Sequence, residues 1–369
     1  MNRLFRWDQM GLFLLALAAG ILPFAVPEVC AAALREGLAL CSGSLLLSLF
    51  PFLVVSRLLV QCPESDLLAL PFRLAAWGIG IRTPCAARVL CIGFLGGFAP
   101  AASAAAQAVR TGQLTAEEAD ALLPACICSG PSFVVLTVGQ SLLGSAELGV
   151  LLFASQITAN YLTAALLNRF AGVHSVEQES AAQASPAPPR LDEILADAAI
   201  TYCKLCGFIL FFRLLAAGAG ALLPTGAGTL CAILLEVCSG CDLASRTGQW
   251  GSLLCCAALS VQGLSVLLQV RTICPPEMTL RPLYRARMLH LPLSLALFYL
   301  LLPGGEADVF STLPARVLLM RRVPPDCALL VFAVCCMAAC TLRSGIRQVE
   351  QKQMARNAGG CCINSKTLL

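Results

Sequence analysis

Between Cys91 and Gly144 the chain reads CIGFLGGFAPAASAAAQAVRTG, then QLTAEEADALL, then PACICSGPSFVVLTVGQSLLG. Two apolar segments flank one short polar stretch, and neither apolar segment is an unbroken span. Gly93, Gly96, Gly97 and Pro100 interrupt the first; Pro124, Gly130 and Pro131 interrupt the second. Each interruption frees backbone N–H and C=O groups that lipid cannot satisfy. Such breaks persist only where they are buried in protein or line a wet cavity. Paired broken segments are also the sequence feature that points to a binding site in transporters.

Composition decides the solvent. Hydrophobic residues make up 58% of the chain and charged residues only 12%, with mean hydropathy +0.80. Soluble domains carry about 25% charge. With several apolar runs near the length of a membrane crossing, this predicts an all-α fold: a polytopic helical membrane protein in contact with lipid. The net charge of +4 is small and spread over loops and tail, which gives no argument for nucleic acid.

The 21 cysteines sit mostly one by one in apolar runs, where thiols act as small hydrophobes. Cys203/Cys206 and Cys238/Cys241 form two C-x-x-C pairs. In membrane-like helices they read as packing residues, because a zinc site needs loops and charge compensation not evident here. The only two histidines, His174 and His290, argue against histidine triads and histidine-held metals. No cofactor is implied. No enzyme signature is present either: Ser132 lies in GPSFV, which lacks the nucleophile-elbow spacing, and GFLGGF is no phosphate-binding loop.

Along the chain, residues 1–37 hold a short basic flank and a first apolar run, Met10–Val26. Residues 38–170 form a first repeat that opens with a span at Leu38–Val60. Residues 171–190 are an Ala/Ser/Gln/Pro-rich linker. Residues 191–302 form a second repeat, and 303–369 hold a last span (Cys327–Leu342) and a basic tail. Within the first repeat Thr115 and Glu118 have capping-box spacing, predicting a short polar helix. Gln156, Asn160 and Thr163 share one helical face, as amides that bond neighbouring helices do. Arg281, Arg285 and Arg287 read as a basic flank before a span at Leu289–Leu302.

Both repeats show a span, a Gly-broken segment, a second broken segment and another span. Ser129-Gly130-Pro131-Ser132 can be laid on Gln262-Gly263-Leu264-Ser265, and Gly96-Gly97 on Ser239-Gly240. The loop charges do not decide whether the repeats are inverted.

Glu236 is the only carboxylate between Asp197 and Asp242 and lies inside an apolar run. An intramembrane acid is a functional residue by default. It could hold a cation, a proton or a solute; the structural alternative is an ion pair with Lys204 or Arg213. Ser103, Ser129, Gln107, Gln262 and Gln269 are the polar side chains near the breaks, and freed backbone at Gly97, Gly130, Gly240 and Gly263 adds hydrogen-bonding groups. The expected solute-binding set is Gly97, Ser103, Ser129, Gly130, Glu236, Gln262, Gly263 and Gln269.

GFLGGFAPAASAAAQAVRTGQLTAEEADALLPACICSGPSFVVLTVG, with Leu235–Gly240 and Gly263-Leu264-Ser265-Val266 followed by Gln269, resembles the YlbJ-type sporulation integral membrane proteins. These belong to the nucleoside-recognition gate-domain group. The resemblance spans about Leu38 to Leu302. The chain departs from the family pattern at Pro100, one place late, at Ser103, where a Lys is lost, and at Ile127 and Cys128, which replace two Asn residues. The resemblance implies a multi-pass protein of the cell membrane of an endospore-forming bacterium. Its expected role is a transporter or gated pathway for a small polar solute during spore formation. The alternative is a membrane scaffold for spore cortex or coat, with a homo-oligomeric or spore-envelope protein partner.

Overall fold

A computed structural model describes residues 2–62, 65–171 and 191–302. The linker after Ala171, the last span and the tail lie outside the described residues. Those described form fourteen α-helices, one π-helix and one short 3-10 turn, with no strand among them. Three helical stretches are long and apolar enough to cross a membrane: Ala146–Ala171, Leu191–Leu222 and Gly248–Ile273. A fourth exists if the bent pair at the N-terminus counts as one span. The fold is that of an all-α polytopic membrane protein.

The N-terminal pair is α1 (Asn2–Ala25) and α2 (Pro27–Ser42), bent by 115° at Val26. Pro27 sits at the first position of α2, where its missing N–H costs nothing. Next, α3 (Ser44–Gln61) starts after Gly43. The stretch 38–60, read from sequence as one span, is therefore two helices. At Gly43 the backbone (φ −107°, ψ −110°) leaves the helical region, while Pro51 lies inside α3. A short α4 (Asp66–Gly78) follows. Arg88 ties this corner together, donating to the Asp66 carboxylate at 2.7 Å and to the Val60 carbonyl at 2.8 Å.

Next come α5 (Pro84–Gly96), α6 (Phe98–Arg110), α7 (Ala116–Cys126), the π-helix (Ser132–Leu142) and α8 (Ala146–Ala171). In α7 the predicted capping box is present. Glu118 N–H donates to Thr115 Oγ1 at 3.1 Å, and Thr115 N–H donates to Glu118 Oε2 at 3.0 Å. After the linker come α9 (Leu191–Leu222), α10 (Thr225–Leu235), α11 (Val237–Ser245), α12 (Gly251–Val261), α13 (Gly263–Ile273) and α14 (Arg281–Leu301).

The order of elements is similar in the two halves. The pair α5–α6 takes the place of α10–α11, α7 and the π-helix that of α12 and α13, and α8 that of α14. Contacts repeat in the same sense, with α6 packed on α13 and α11 on the π-helix. Helices α8 and α14 pack together and run antiparallel. Asn160 meets Arg287, whereas the earlier Gln156 meets the later His290 and, through Ser260, Ser294. Equivalent helices running in opposite directions are what an inverted repeat produces. One continuous apolar core joins α5, α6 and α7 to α11, α12 and α13.

The structure moves some expected breaks. Pro124 lies inside α7, and Gly93 and Gly96 lie inside α5, where Gly93 packs against Cys126 of α7. Gly240 is likewise helical, and a Cβ there would sit 2.8 Å from Ile233 Cα. It is a close-packing residue; the break falls earlier, at Glu236. The partner of Gly97 in the second half is thus Glu236, and the pairing with Ser239-Gly240 is corrected. Small residues permit such close helix approach in lipid, where van der Waals packing drives association.

Candidate functional site where four helix breaks meet

Four breaks interrupt the two repeats: Gly97 between α5 and α6, residues 127–131 between α7 and the π-helix, Glu236 between α10 and α11, and Gln262 between α12 and α13. They come together in space. A Cβ on Gly97 would lie 2.7 Å from the Gly130 nitrogen, so the first two breaks touch. A Cβ on Gly263 would lie 2.9 Å from the Glu236 nitrogen, so the second two touch as well. Gln262 Nε2 donates to the Ile127 carbonyl at 3.1 Å and joins the two halves. Ile127 and Gln262 are the C-caps of the equivalent helices α7 and α12, so the halves meet at corresponding positions.

Gly97 has φ +80° and ψ −163°, a backbone region essentially restricted to glycine. Gln262 has φ +62°, uncommon for a residue with a side chain. Its amide is held in place by the Ile127 carbonyl. That carbonyl is one of the groups a helix C-terminus leaves without an intrahelical partner. It accepts three donors: Gln262 Nε2, Asn160 Nδ2 at 3.2 Å and Arg287 Nη2 at 2.9 Å. Arg287 also donates to Asn160 Oδ1 at 3.1 Å and to the Ser260 carbonyl at 3.4 Å.

Arg287 corrects the sequence reading. It belongs to no solvated flank: it is buried in α14 and makes no ion pair among the described residues. Carbonyl oxygens of the broken helices stand in for a carboxylate. A sequence signal for this existed. Arg287, His290 and Ser294 repeat at i, i+3, i+7 in an apolar helix, and this stripe faces the stripe of Gln156, Asn160 and Thr163 on α8. The amides of α8 do bond neighbouring helices, with Gln156 Nε2 donating to Ser260 Oγ at 3.0 Å.

Glu236 is 2% exposed and is the N-cap of α11. Its two carboxylate oxygens accept the Cys238 and Ser239 N–H groups at 2.9 and 2.7 Å. The alternative of an ion pair with Lys204 or Arg213 is not what forms. Arg213 pairs with Glu36 at 2.6 Å, and Glu236 has no ion pair among the described residues. A small cavity of about 60 Å³ opens beside it; its walls are mostly apolar, with Phe52, Phe133, Ile209 and Val266 among them, and Ser129, Ser132, Glu236 and Gln269 are its polar side chains. Gln269 Nε2 donates to Ser265 Oγ at 2.9 Å, while its Oε1 is buried with no partner.

A larger cleft of about 220 Å³ lies on the other side of Gln269. Arg57, Ser103, Arg110, Asp197, Thr201 and Lys204 line it. Arg57 is paired with Asp197 at 2.6 Å; Arg110 and Lys204 have no ion pair among the described residues. Gln269 borders both this cleft, a candidate vestibule, and the inner cavity.

Of the eight expected residues, Ser129, Gly130, Glu236 and Gln269 line the inner cavity. Ser103 lines the vestibule with Gln269. Gly97 and Gly263 form the backbone contacts between breaks, and Gln262 faces the Ile127 carbonyl rather than the cavity. Cys128, at a position of the departed Asn pair, lies buried with its thiol toward the Gly93 carbonyl. Among the described residues no three His, Cys, Asp or Glu side chains gather into a metal-binding group. No protein family, curated protein or solved structure matches the chain.

Proposed function

We propose that this protein is a membrane carrier or gated pathway for a small polar solute, with its site at the four helix breaks. The observation that carries this reading is that the four breaks meet one another, and that two of them, at Ser129-Gly130 and at Glu236, border a cavity with one unpaired buried carboxylate. Interrupted helices are costly in lipid, and a protein that only holds others together has no need of four that meet. Half-helix ends that face a shared cavity from two repeats suit alternating access, in which one repeat rocks against the other. The vestibule adds a preference. Arg110 and Lys204 give it an excess of positive charge, which raises the local concentration of anionic solutes over neutral ones. A role in spore formation is a further proposal that rests on the family resemblance alone.

The test is a thermal-shift screen of detergent-purified protein against nucleosides, small carboxylates and neutral polyols. A bound solute present at 100 times its Kd raises stability by about 2.7 kcal/mol, a readable shift. A carboxylate hit that weakens in Arg110→Gln or Lys204→Gln supports the carrier and its vestibule. No hit across the panel, in protein that still melts cooperatively, favours a scaffold.

A further inference from the structure

We infer that the inner cavity is a binding site for one monovalent metal cation, held between Glu236 and Gln269. Two independent observations point to it. Glu236 is a buried carboxylate with no ion pair among the described residues. Gln269, also 2% exposed, borders the same cavity and carries a buried carbonyl oxygen, Oε1, with no hydrogen-bond partner. A lone buried acceptor and an uncompensated negative charge on one small space are complementary to a cation.

The oxygen set defines which cation. A carboxylate, an amide oxygen and the Ser129 hydroxyl are hard ligands, suited to alkali and alkaline-earth ions rather than to zinc or copper. One carboxylate supplies one negative charge. A monovalent ion leaves the site neutral, whereas a divalent ion leaves a net positive charge inside an apolar protein. Each carboxylate oxygen has two lone-pair directions, so the N–H bonds from Cys238 and Ser239 leave room for a further ligand contact. A proton is the competing occupant, because a protonated Glu236 keeps a lone pair on each oxygen for the Cys238 and Ser239 N–H groups; the pH response of the melting series separates the two. The space of about 60 Å³ admits any of the alkali ions, and sodium is the first probe.

Cation binding is distinct from solute transport and can be read with no solute present. The experiment is a melting series of detergent-purified full-length protein in NaCl, LiCl, KCl and choline chloride at equal ionic strength. The expected result is a concentration-dependent rise in Tm with NaCl that choline chloride does not produce. Gln269→Met keeps the side chain's length and removes the oxygen; it should weaken the apparent sodium Kd at least tenfold. Ser129→Ala, a milder change at the cavity wall, should weaken it several-fold and guards against misfolding of the first variant. Equal Tm in all four salts would overturn the site, as would an unaltered sodium response in both variants. A response to pH in place of sodium, lost in Glu236→Gln, would replace the metal ion by a proton.

Discussion

The two repeats solve one backbone problem in different ways. In the second, the break between α10 and α11 is capped by a side chain: Glu236 takes the first free N–H groups of α11 onto its carboxylate. In the first, the equivalent position is Gly97, which brings no side chain at all. Its special backbone angles let it lie directly against Gly130 of the next break. The carbonyl that α7 leaves open at Ile127 is then satisfied by Asn160 of α8 and by Gln262 and Arg287 of the second half. The first break pair is thus a backbone surface, and the second a chemical one that carries the charge. Fold symmetry sets where the breaks lie, and the asymmetry of their residues sets where a ligand can be held.

This contrast can be broken most directly at Gly97. Gly97→Ala puts a Cβ 2.7 Å from the Gly130 nitrogen on a backbone that only glycine adopts readily. The expected cost is about 3–5 kcal/mol, read as lost folded yield or a large drop in Tm. A variant that melts normally would show that the first two breaks do not touch. Arg287→Met comes next. It removes donors from Ile127, Ser260 and Asn160 while relieving a buried charge, so the net loss should be about 1–3 kcal/mol. A stability unchanged or raised would mean that the guanidinium does not tie the halves. The smallest effect sharpens the comparison. At Gly130 the backbone is not left-handed and a Cβ would meet its nearest atom, the Gly96 oxygen, at 3.5 Å. Gly130→Ala should therefore cost less than about 0.5 kcal/mol in melting assays. A cost as large as that at Gly97 would contradict the unequal roles assigned to these neighbours.

Much of this was legible in the sequence, for reasons the structure makes plain. Low charge and apolar runs specify helices in lipid, and Gly97, Gly130 and Gly263 do lie at breaks, whereas the break expected at Ser239-Gly240 falls at Glu236. The capping box at Thr115 and Glu118 formed because its two hydrogen bonds are local. Gly93, Gly96 and Gly240 were harder, because a glycine that ends a helix and one that admits a neighbouring helix look alike in sequence. Only the packing of Gly240 on Ile233 tells them apart. Arg287 was misplaced because charge near a helix start normally means solvent. What buries it is a set of carbonyl oxygens, from Ile127 and Ser260, that no side-chain pattern records. That Gln269 borders both cavities is likewise a property of packing between α3, α6, α9 and α13, elements far apart in the chain.

The central claim is that the meeting point of the breaks, with Glu236 as its charged group, is where solute is handled. The most direct measurement is uptake of a solute identified by thermal shift into proteoliposomes, comparing the native protein with Glu236→Gln. The substitution keeps size and one capping oxygen, so the variant should fold, with a loss of about 1–2 kcal/mol from the weakened cap. The account predicts uptake reduced at least tenfold in a variant that still melts cooperatively. Uptake at the native rate in that variant would contradict it.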